Sequence, residues 1–358
     1  MRNVAIIGAT GVVGQQFVIA LQNHKWFNIT KLAASKRSAG KNYEDALRNS
    51  DGALNWFCEE KPSSETLKIK VEDASKIKVD SCDIVFTALE SEQAKVFESK
   101  YAKIKPVIST AATFRYDVDV PTIIPGINNE HIKLLDIQKK RRGWKGFVIP
   151  IPNCTTTGLA VTLKPILDKF GLEQVLMTSM QALSGAGRSP GVSALDILDN
   201  VIPYIPKEEE KVQTETLKIL GKLNNKKIKP AQFKVSCTCT RVHVRDGHTE
   251  SVFVSTKTPN TIEDVKKAMN KFGKDLIKMK LPSAPKQMIE VTDDPFRPQP
   301  RIDRYASDGM VTTVGRIRRD IALKNGMKYV LVSHNTKMGA AKGAVLVAEL
   351  LDKEGYLD

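Results

Sequence analysis

Residues 3–7 (NVAII) form an apolar run that stops at Gly8. The chain then reads Gly8-Ala9-Thr10-Gly11-Val12-Val13-Gly14 and continues to Leu21 with helical apolar spacing. Strand, glycine turn and helix in that order constrain the fold more than any other feature. Glycines at G-x-x-G-x-x-G spacing permit a tight turn with no Cβ in the way, so that a pyrophosphate can approach backbone N–H groups at the positive helix end. A plain strand-to-helix turn would use the same spacing, and the motif by itself names no reaction. After a second expected strand at 29–34 comes Ala34-Ser35-Lys36-Arg37-Ser38, where NAD-specific folds place an acidic residue for the ribose 2′-hydroxyl. A 2′-phosphate suits this turn better, with Arg37 as its planar ligand and Ser35 and Ser38 as further donors, which predicts NADP. The alternative is an exposed basic turn.

Further short strands are expected at 67–71, 83–87, 106–109 and 147–151, with helical stretches between several of them. That alternation implies a parallel sheet covered by helices. From about Asn153 the texture changes to a helix at 156–170, a strand at 174–181, a loop rich in Gly and Ser, and two helical stretches before Gly221. The β-rich runs 233–244 and 249–257 follow closely enough to be read as an adjacent antiparallel pair. The segment 282–300 reads as an extended proline-rich loop, and 340–351 as a helix returning to the first domain. The expected fold class is α/β: a Rossmann-like dinucleotide-binding domain over 1–152, completed by 336–358, and a second, α+β domain over 153–335.

With 358 residues, 41% of them hydrophobic, the chain has material for ordinary cores, which excludes a disordered or fibrous protein. No apolar run of about eighteen residues occurs and the N-terminus has no signal-peptide pattern, so a cytoplasmic protein without membrane contact is expected. The cysteines, Cys58, Cys82, Cys154, Cys237 and Cys239, are odd in number and form no C-x-x-C pair, so neither disulfides nor a metal is indicated. The net charge of +15 admits nucleic acid, membrane surface or small anions as partners. The densest basic block, Lys139-Lys140-Arg141-Arg142, reads as a solvated loop, and no aromatic-interleaved basic motif supports nucleic-acid binding.

Pro152-Asn153-Cys154-Thr155-Thr156-Thr157-Gly158 lies between an expected strand and an expected helix. A cysteine at a helix N-terminus feels the positive end of the macrodipole, which favours the thiolate. The other four cysteines stand in apolar or strand contexts and read as structural. Arg241 and His248 are seven apart across a turn containing Gly247, so a hairpin can bring both to one cleft; read without further context, His248 is more a turn histidine than a catalytic one. Their chemistry suits a cleft: a guanidinium grips a carboxylate bidentately, and an imidazole exchanges protons near neutral pH. Glu208 and Lys211 share a helix face, which by itself reads as an exposed ion pair.

These segments together resemble the aspartate-semialdehyde dehydrogenase family, its archaeal and fungal-like branch most. The resemblance runs through GATGVVG, SKRSAGK at 35–41, STAATFR at 109–115, PNCTTTG, QALSGAGRSPG at 181–191, EEEK at 208–211, RVHVRDGHTE at 241–250 and HNTKMGAA at 334–341. It implies an NADP-dependent reduction of β-aspartyl phosphate to aspartate semialdehyde, with release of phosphate, in a homodimer or homotetramer whose 153–335 domain is catalytic and dimerising. It further implies Cys154 as nucleophile, His248 as acid/base and Gln181 as the residue orienting the acyl intermediate. By the same resemblance Arg241 holds the substrate carboxylate, Glu208 its ammonium, and Arg115 and Lys211 the phosphate. The cofactor would be held by Gly8, Ala9, Thr10, Gly11, Val12, Val13, Gly14, Ser35, Arg37, Ser38, Thr87, Ala88, Ser184, Gly185 and Asn335. Backbone N–H groups just after Cys154 are the expected oxyanion donors. A malonyl-CoA or succinyl-CoA reductase would use the same cysteine chemistry, but Glu208 would repel an acyl group that has no ammonium. The family pattern is broken at His243 and Glu90, both of which replace a usual proline. Strand alternation would place His243 on the face of Arg241.

Overall fold

The computed structural model describes residues 1–188 and 191–358; Ser189 and Pro190 of the QALSGAGRSPG segment lie outside the described residues. The chain forms two compact units, Met1–Ile123 with Glu130–Ile151 and Ala340–Asp358, and Ile124–Asn129 with Pro152–Gly339.

In the first unit β1 (Arg2–Ile7), β2 (Phe27–Ala34), β3 (Val71–Asp73), β4 (Ile84–Thr87), β5 (Val107–Ser109) and β6 (Val148–Pro150) form one sheet in the order β3-β2-β1-β4-β5-β6. Every pair is parallel. This is the doubly wound order of dinucleotide-binding sheets, and its direction reverses between β1 and β4. The strand interiors Val4, Ile6, Ile84, Phe86 and Ile108 are fully buried, as a sheet covered on both faces requires. The C-terminal helix Ala341–Lys353 packs on the helix Val12–Leu21 that follows the glycine turn.

Two expectations fail in this unit for local reasons. The strand expected at 67–71 begins only at Val71, because Ser63 caps a short helix, Ser64–Lys68, by accepting the Thr66 N–H at 3.2 Å. A serine cap outweighs the alternation of Leu67, Ile69 and Val71. The block Lys139–Arg142 is no loop but the last turn of the helix Leu134–Arg142, where cations face the negative helix end. Arg142 is held there by Asp117 at 2.6 Å and Asp119 at 2.7 Å, over the Trp144 ring.

The second unit contains β7 (Leu172–Gln181), β8 (Lys222–Asn224), β9 (Lys227–Lys229), β10 (Lys234–Arg241), β11 (His248–Thr256), β12 (Ile289–Val291), β13 (Thr312–Arg319) and β14 (Gly326–Ser333). β8 and β9 make a separate ribbon; the rest form a mixed sheet in the order β10-β7-β11-β14-β13-β12. The runs read as an adjacent hairpin are therefore not neighbours. β7 lies between them, parallel to β10 and antiparallel to β11. The proline-rich stretch also holds a strand, since β12 pairs with β13. The helix Cys154–Phe170 crosses this sheet, buried on almost every side. It can lie close because residue 158 is glycine: a methyl there would come within 2.9 Å of Ser333 Cβ and 3.2 Å of Leu331 Cδ1. No helix among the described residues is long and apolar enough to cross a membrane.

Candidate active site

Cys154 opens the helix Cys154–Phe170, whose first turn carries no acidic residue to offset its positive end. Asn153 caps it, its Oδ1 accepting the N–H groups of Thr155 and Thr156 at 2.9 and 3.2 Å. The Thr157 N–H goes to Asn153 O at 3.0 Å. The N–H groups expected to bind an oxyanion are thus already committed at residues 155–157. Cys154 is the one cysteine of the five that is not buried. Gly339 makes room for it, as a methyl at 339 would lie 2.8 Å from Cys154 Cβ.

His248 opens β11 and is fully buried, with Nε2 3.1 Å from Cys154 Sγ. Its Nδ1 accepts the Ala182 N–H at 3.0 Å. That contact fixes the tautomer: the ring proton sits on Nε2 and points at the sulfur. Burial, Arg241 and His334 push the His248 pKa down to about 3, so the imidazole is neutral at working pH. The ring therefore donates to the sulfur and stabilises a thiolate; it has no free lone pair with which to deprotonate a thiol.

Arg241 ends β10, buried, and its Nη1 donates to Ala182 O at 2.7 Å. Burial lowers its pKa, while the neighbouring Cys154, Glu208 and Cys239 raise it, so a lasting positive charge stands beside both sulfur and carboxylate. Arg241 and His248 converge without a hairpin because each terminates a strand flanking the end of β7. A methyl on Gly185 would reach 3.0 Å from Arg241 Nη1 and 3.1 Å from the His248 ring. Gln181, in register with Arg241, is buried and donates to Ser179 Oγ at 3.2 Å.

The exposed ion-pair reading of Glu208 does not hold. Glu208 is only 5% exposed; Oε2 meets Lys211 Nζ at 3.4 Å and Oε1 accepts from Asn153 Nδ2 at 2.8 Å. Asn335 is buried as well, accepting the Gly247 N–H at 2.9 Å and donating to Ser184 Oγ at 2.8 Å. It thereby braces the turn that leads into His248.

In the first unit the glycines divide by task. Gly8 has φ +87° and no space for a side chain, since a methyl would strike Ala88 O at 2.2 Å; one at Gly14 would strike Gly8 O at 2.1 Å. Gly11 meets nothing nearer than 3.5 Å, and it precedes a helix that no side chain caps. The fold needs the outer glycines, and the middle one leaves open the approach that a phosphate requires. Ser35 and Arg37 are exposed on the turn after β2, whereas Ser38 is buried. Thr87 is fully buried and its hydroxyl donates to Glu98 Oε1 at 2.6 Å. Arg115 is buried with Nη2 on Thr110 O at 3.0 Å.

Comparison with known proteins agrees with this geometry. Residues 3–135 match the family described as semialdehyde dehydrogenase, NAD binding domain, and residues 163–338 match semialdehyde dehydrogenase, dimerisation domain. The aspartate-semialdehyde dehydrogenase of Methanothermobacter thermautotrophicus is 46% identical over 355 residues, 99% of each chain. That of Saccharomyces cerevisiae is 42% identical over 360 residues, 97% of this chain and 96% of its own. The chain belongs to the aspartate-semialdehyde dehydrogenase family. The family's crystal structure with NADP from Candida albicans superposes with a TM-score of 0.89 at 39% identity, covering 99% of this chain and 100% of that one. Aspartate semialdehyde dehydrogenase II of Vibrio cholerae, complexed with ASA, gives 0.77 at 28% identity and 99% coverage of both.

Against the family pattern, His243 does not share the face of Arg241. β10 ends at Arg241, and His243 is exposed beyond it. Glu90 is an exposed helix cap. Sequence reading missed Glu250, two residues along β11 from His248. It is fully buried, neither carboxyl oxygen has a hydrogen-bond partner among the described residues, and burial raises its pKa well above the usual range, with Cys239 adding to the rise. A folded pKa above the unfolded one means that stability is full below about pH 4.5 and is lost as pH rises towards the folded value, by about 1.4 kcal/mol per pH unit. Glu250→Gln cannot ionise. Its Tm advantage over the native chain is therefore expected to widen from about pH 5 to about pH 8; a constant difference would mean that Glu250 is already ionised when folded.

Proposed function

We infer that this chain catalyses the NADPH-dependent conversion of β-aspartyl phosphate to aspartate semialdehyde and phosphate through a thioacyl intermediate on Cys154, a step towards lysine, threonine, methionine and isoleucine. The observation that carries the reading is the 3.1 Å contact of Cys154 Sγ with His248 Nε2, beside a buried guanidinium and a buried carboxylate of opposite charge. An amino acid side-chain acyl group presents that pattern: a carboxylate for Arg241, an ammonium for Glu208, and an electrophilic carbon for the thiolate.

The Cys154 thiolate attacks the acyl carbon, the bond to phosphate breaks, and Arg115 and Lys211 take the charge of the departing group. Gln181 orients the resulting thioester. His248 Nε2–H holds the sulfur as an anion and supplies a hydrogen bond as charge moves between sulfur and oxygen. The open face of Gly11 and the uncapped helix after it fit a dinucleotide pyrophosphate held by Gly8 to Gly14. Ser35, Arg37 and Ser38 would take the 2′-phosphate, and Ala88, Ser184, Gly185 and Asn335 would complete the site. When bound, NADPH supplies the hydride that reduces the thioester carbon. The chain assembles as a homo-oligomer, which we take to be a dimer or a tetramer, and a thiolate nucleophile suits the reducing cytoplasm.

The test is a phosphate-dependent assay with aspartate semialdehyde and NADP, beside malonyl-CoA with NADPH. Turnover of the first and not the second is expected; the reverse makes the chain an acyl-CoA reductase. Arg37→Glu is expected to weaken NADP at least tenfold more than NAD, because a carboxylate would face the 2′-phosphate. Equal losses would reduce Arg37 to a support for its loop.

A further inference from the structure

The helix Glu208–Ile219 presents one buried stripe, Glu208, Val212, Glu215 and Ile219. An apolar stripe that begins with one carboxylate and carries a second seven residues later needs a reason, since burying a carboxylate costs several kcal/mol unless it is well bonded. Glu215 is 1% exposed, and its Oε2 accepts the Asn153 backbone N–H at 2.7 Å. Glu208 takes the same asparagine by its side-chain amide at 2.8 Å.

The contacts around Asn153 leave it no freedom. Its N–H goes to Glu215 and its Nδ2 to Glu208; its Oδ1 receives Thr155 and Thr156; its carbonyl receives the Thr157 N–H and the Thr157 hydroxyl, both at 3.0 Å. Asn153 is the residue before Cys154, and its φ and ψ set where the sulfur leaves the chain.

We infer that Glu215 is a positioning residue for the nucleophile: by gripping the Asn153 N–H it fixes the entry into the helix and so aims Cys154 Sγ at His248. At 1% exposure it is closed off from solvent, and it acts through a bond that needs an acceptor oxygen at full side-chain length. The inference rests on Cys154 being the nucleophile. It also makes the helix Glu208–Ile219 the common mount of a substrate-reading carboxylate and of the clamp behind the sulfur.

The experiment compares Glu215→Gln, which keeps length and an acceptor, with Glu215→Asp, which keeps charge but shortens the reach, and with Glu215→Ala. Measured are kcat and KM for aspartate semialdehyde and phosphate, and the rate at which iodoacetamide alkylates Cys154 across pH. Glu215→Gln should stay within about threefold of the native enzyme in all of these. Glu215→Asp and Glu215→Ala should lose at least tenfold in kcat and in alkylation rate, with KM little changed. Should Glu215→Ala fail to fold, the Asp and Gln pair still decides. Native kcat and alkylation in Glu215→Asp, or a loss confined to KM, overturns the inference; so does a Gln variant as impaired as the Asp variant, since an acceptor oxygen at full side-chain length would then not suffice. Cys154→Ser run alongside separates the two levels, since turnover surviving there removes the nucleophile itself, whereas a dead Cys154→Ser with normal Glu215 variants removes only the clamp.

Discussion

Cys154→Ser is expected to lose at least about a thousandfold in kcat while still binding NADP. A hydroxyl becomes a nucleophile near neutral pH only if a base takes its proton, and the site holds none in the right state. The Ala182 N–H occupies His248 Nδ1, which leaves the ring proton on Nε2, facing residue 154. A thiol needs no such base, because the helix end, the Nε2–H donor and nearby Arg241 all favour its anion. Two measurements check this. Single-turnover kinetics of the serine variant should show no burst of acyl enzyme. Alkylation of the native chain should label Cys154 before Cys58, Cys82, Cys237 or Cys239, which are buried. A serine variant retaining more than about a hundredth of native turnover, or slower labelling of Cys154, would take the nucleophile's role away from it.

The first unit was largely legible because its signals are local: β1, the glycine turn and the helix Val12–Leu21 follow one another within twenty residues. Cys154 was legible for the same reason, since strand, proline, Asn and helix start are contiguous. Pairing in the second unit was not. β10 and β11 are six residues apart in sequence, and no local pattern tells that β7, formed sixty residues earlier, lies between them. Arg241 and His248 were nevertheless placed at one site, because converging strand ends on either side of β7 reach a common point much as a hairpin would. Glu215 and Glu250 were invisible for a different reason. A glutamate in a Lys/Glu-rich helix, or at an alternating strand position, reads as solvent-facing unless the burial of the element's other side is known. Glu98 on its helix is a further example, buried with Oε1 on the Thr87 and Ser109 hydroxyls and its pKa pushed up to about 7.

Glu208→Gln and Arg241→Leu are expected to fail in different ways, and the difference identifies the substrate. Glutamine at 208 keeps an oxygen for Asn153 Nδ2, so the cap behind Cys154 survives and only the charge facing the ammonium is lost. Aspartate semialdehyde should then lose on the order of 1.5–3 kcal/mol in kcat/KM, the worth of a hydrogen bond to a charged group, while an analogue without the amino group is spared. Arg241→Leu removes the partner of a carboxylate that both compounds carry. It leaves that carboxylate unpaired in a buried site and takes a positive charge from the neighbourhood of Glu208, which keeps its Lys211 contact, so both substrates should lose more than the bond alone, about 3–5 kcal/mol. The measurement is kcat/KM for the two compounds in the native chain and in both variants. Equal penalties in Glu208→Gln would show that Glu208 serves the cap and Lys211 but no ammonium, and discrimination against acyl-CoA substrates would then have to come from elsewhere in the site.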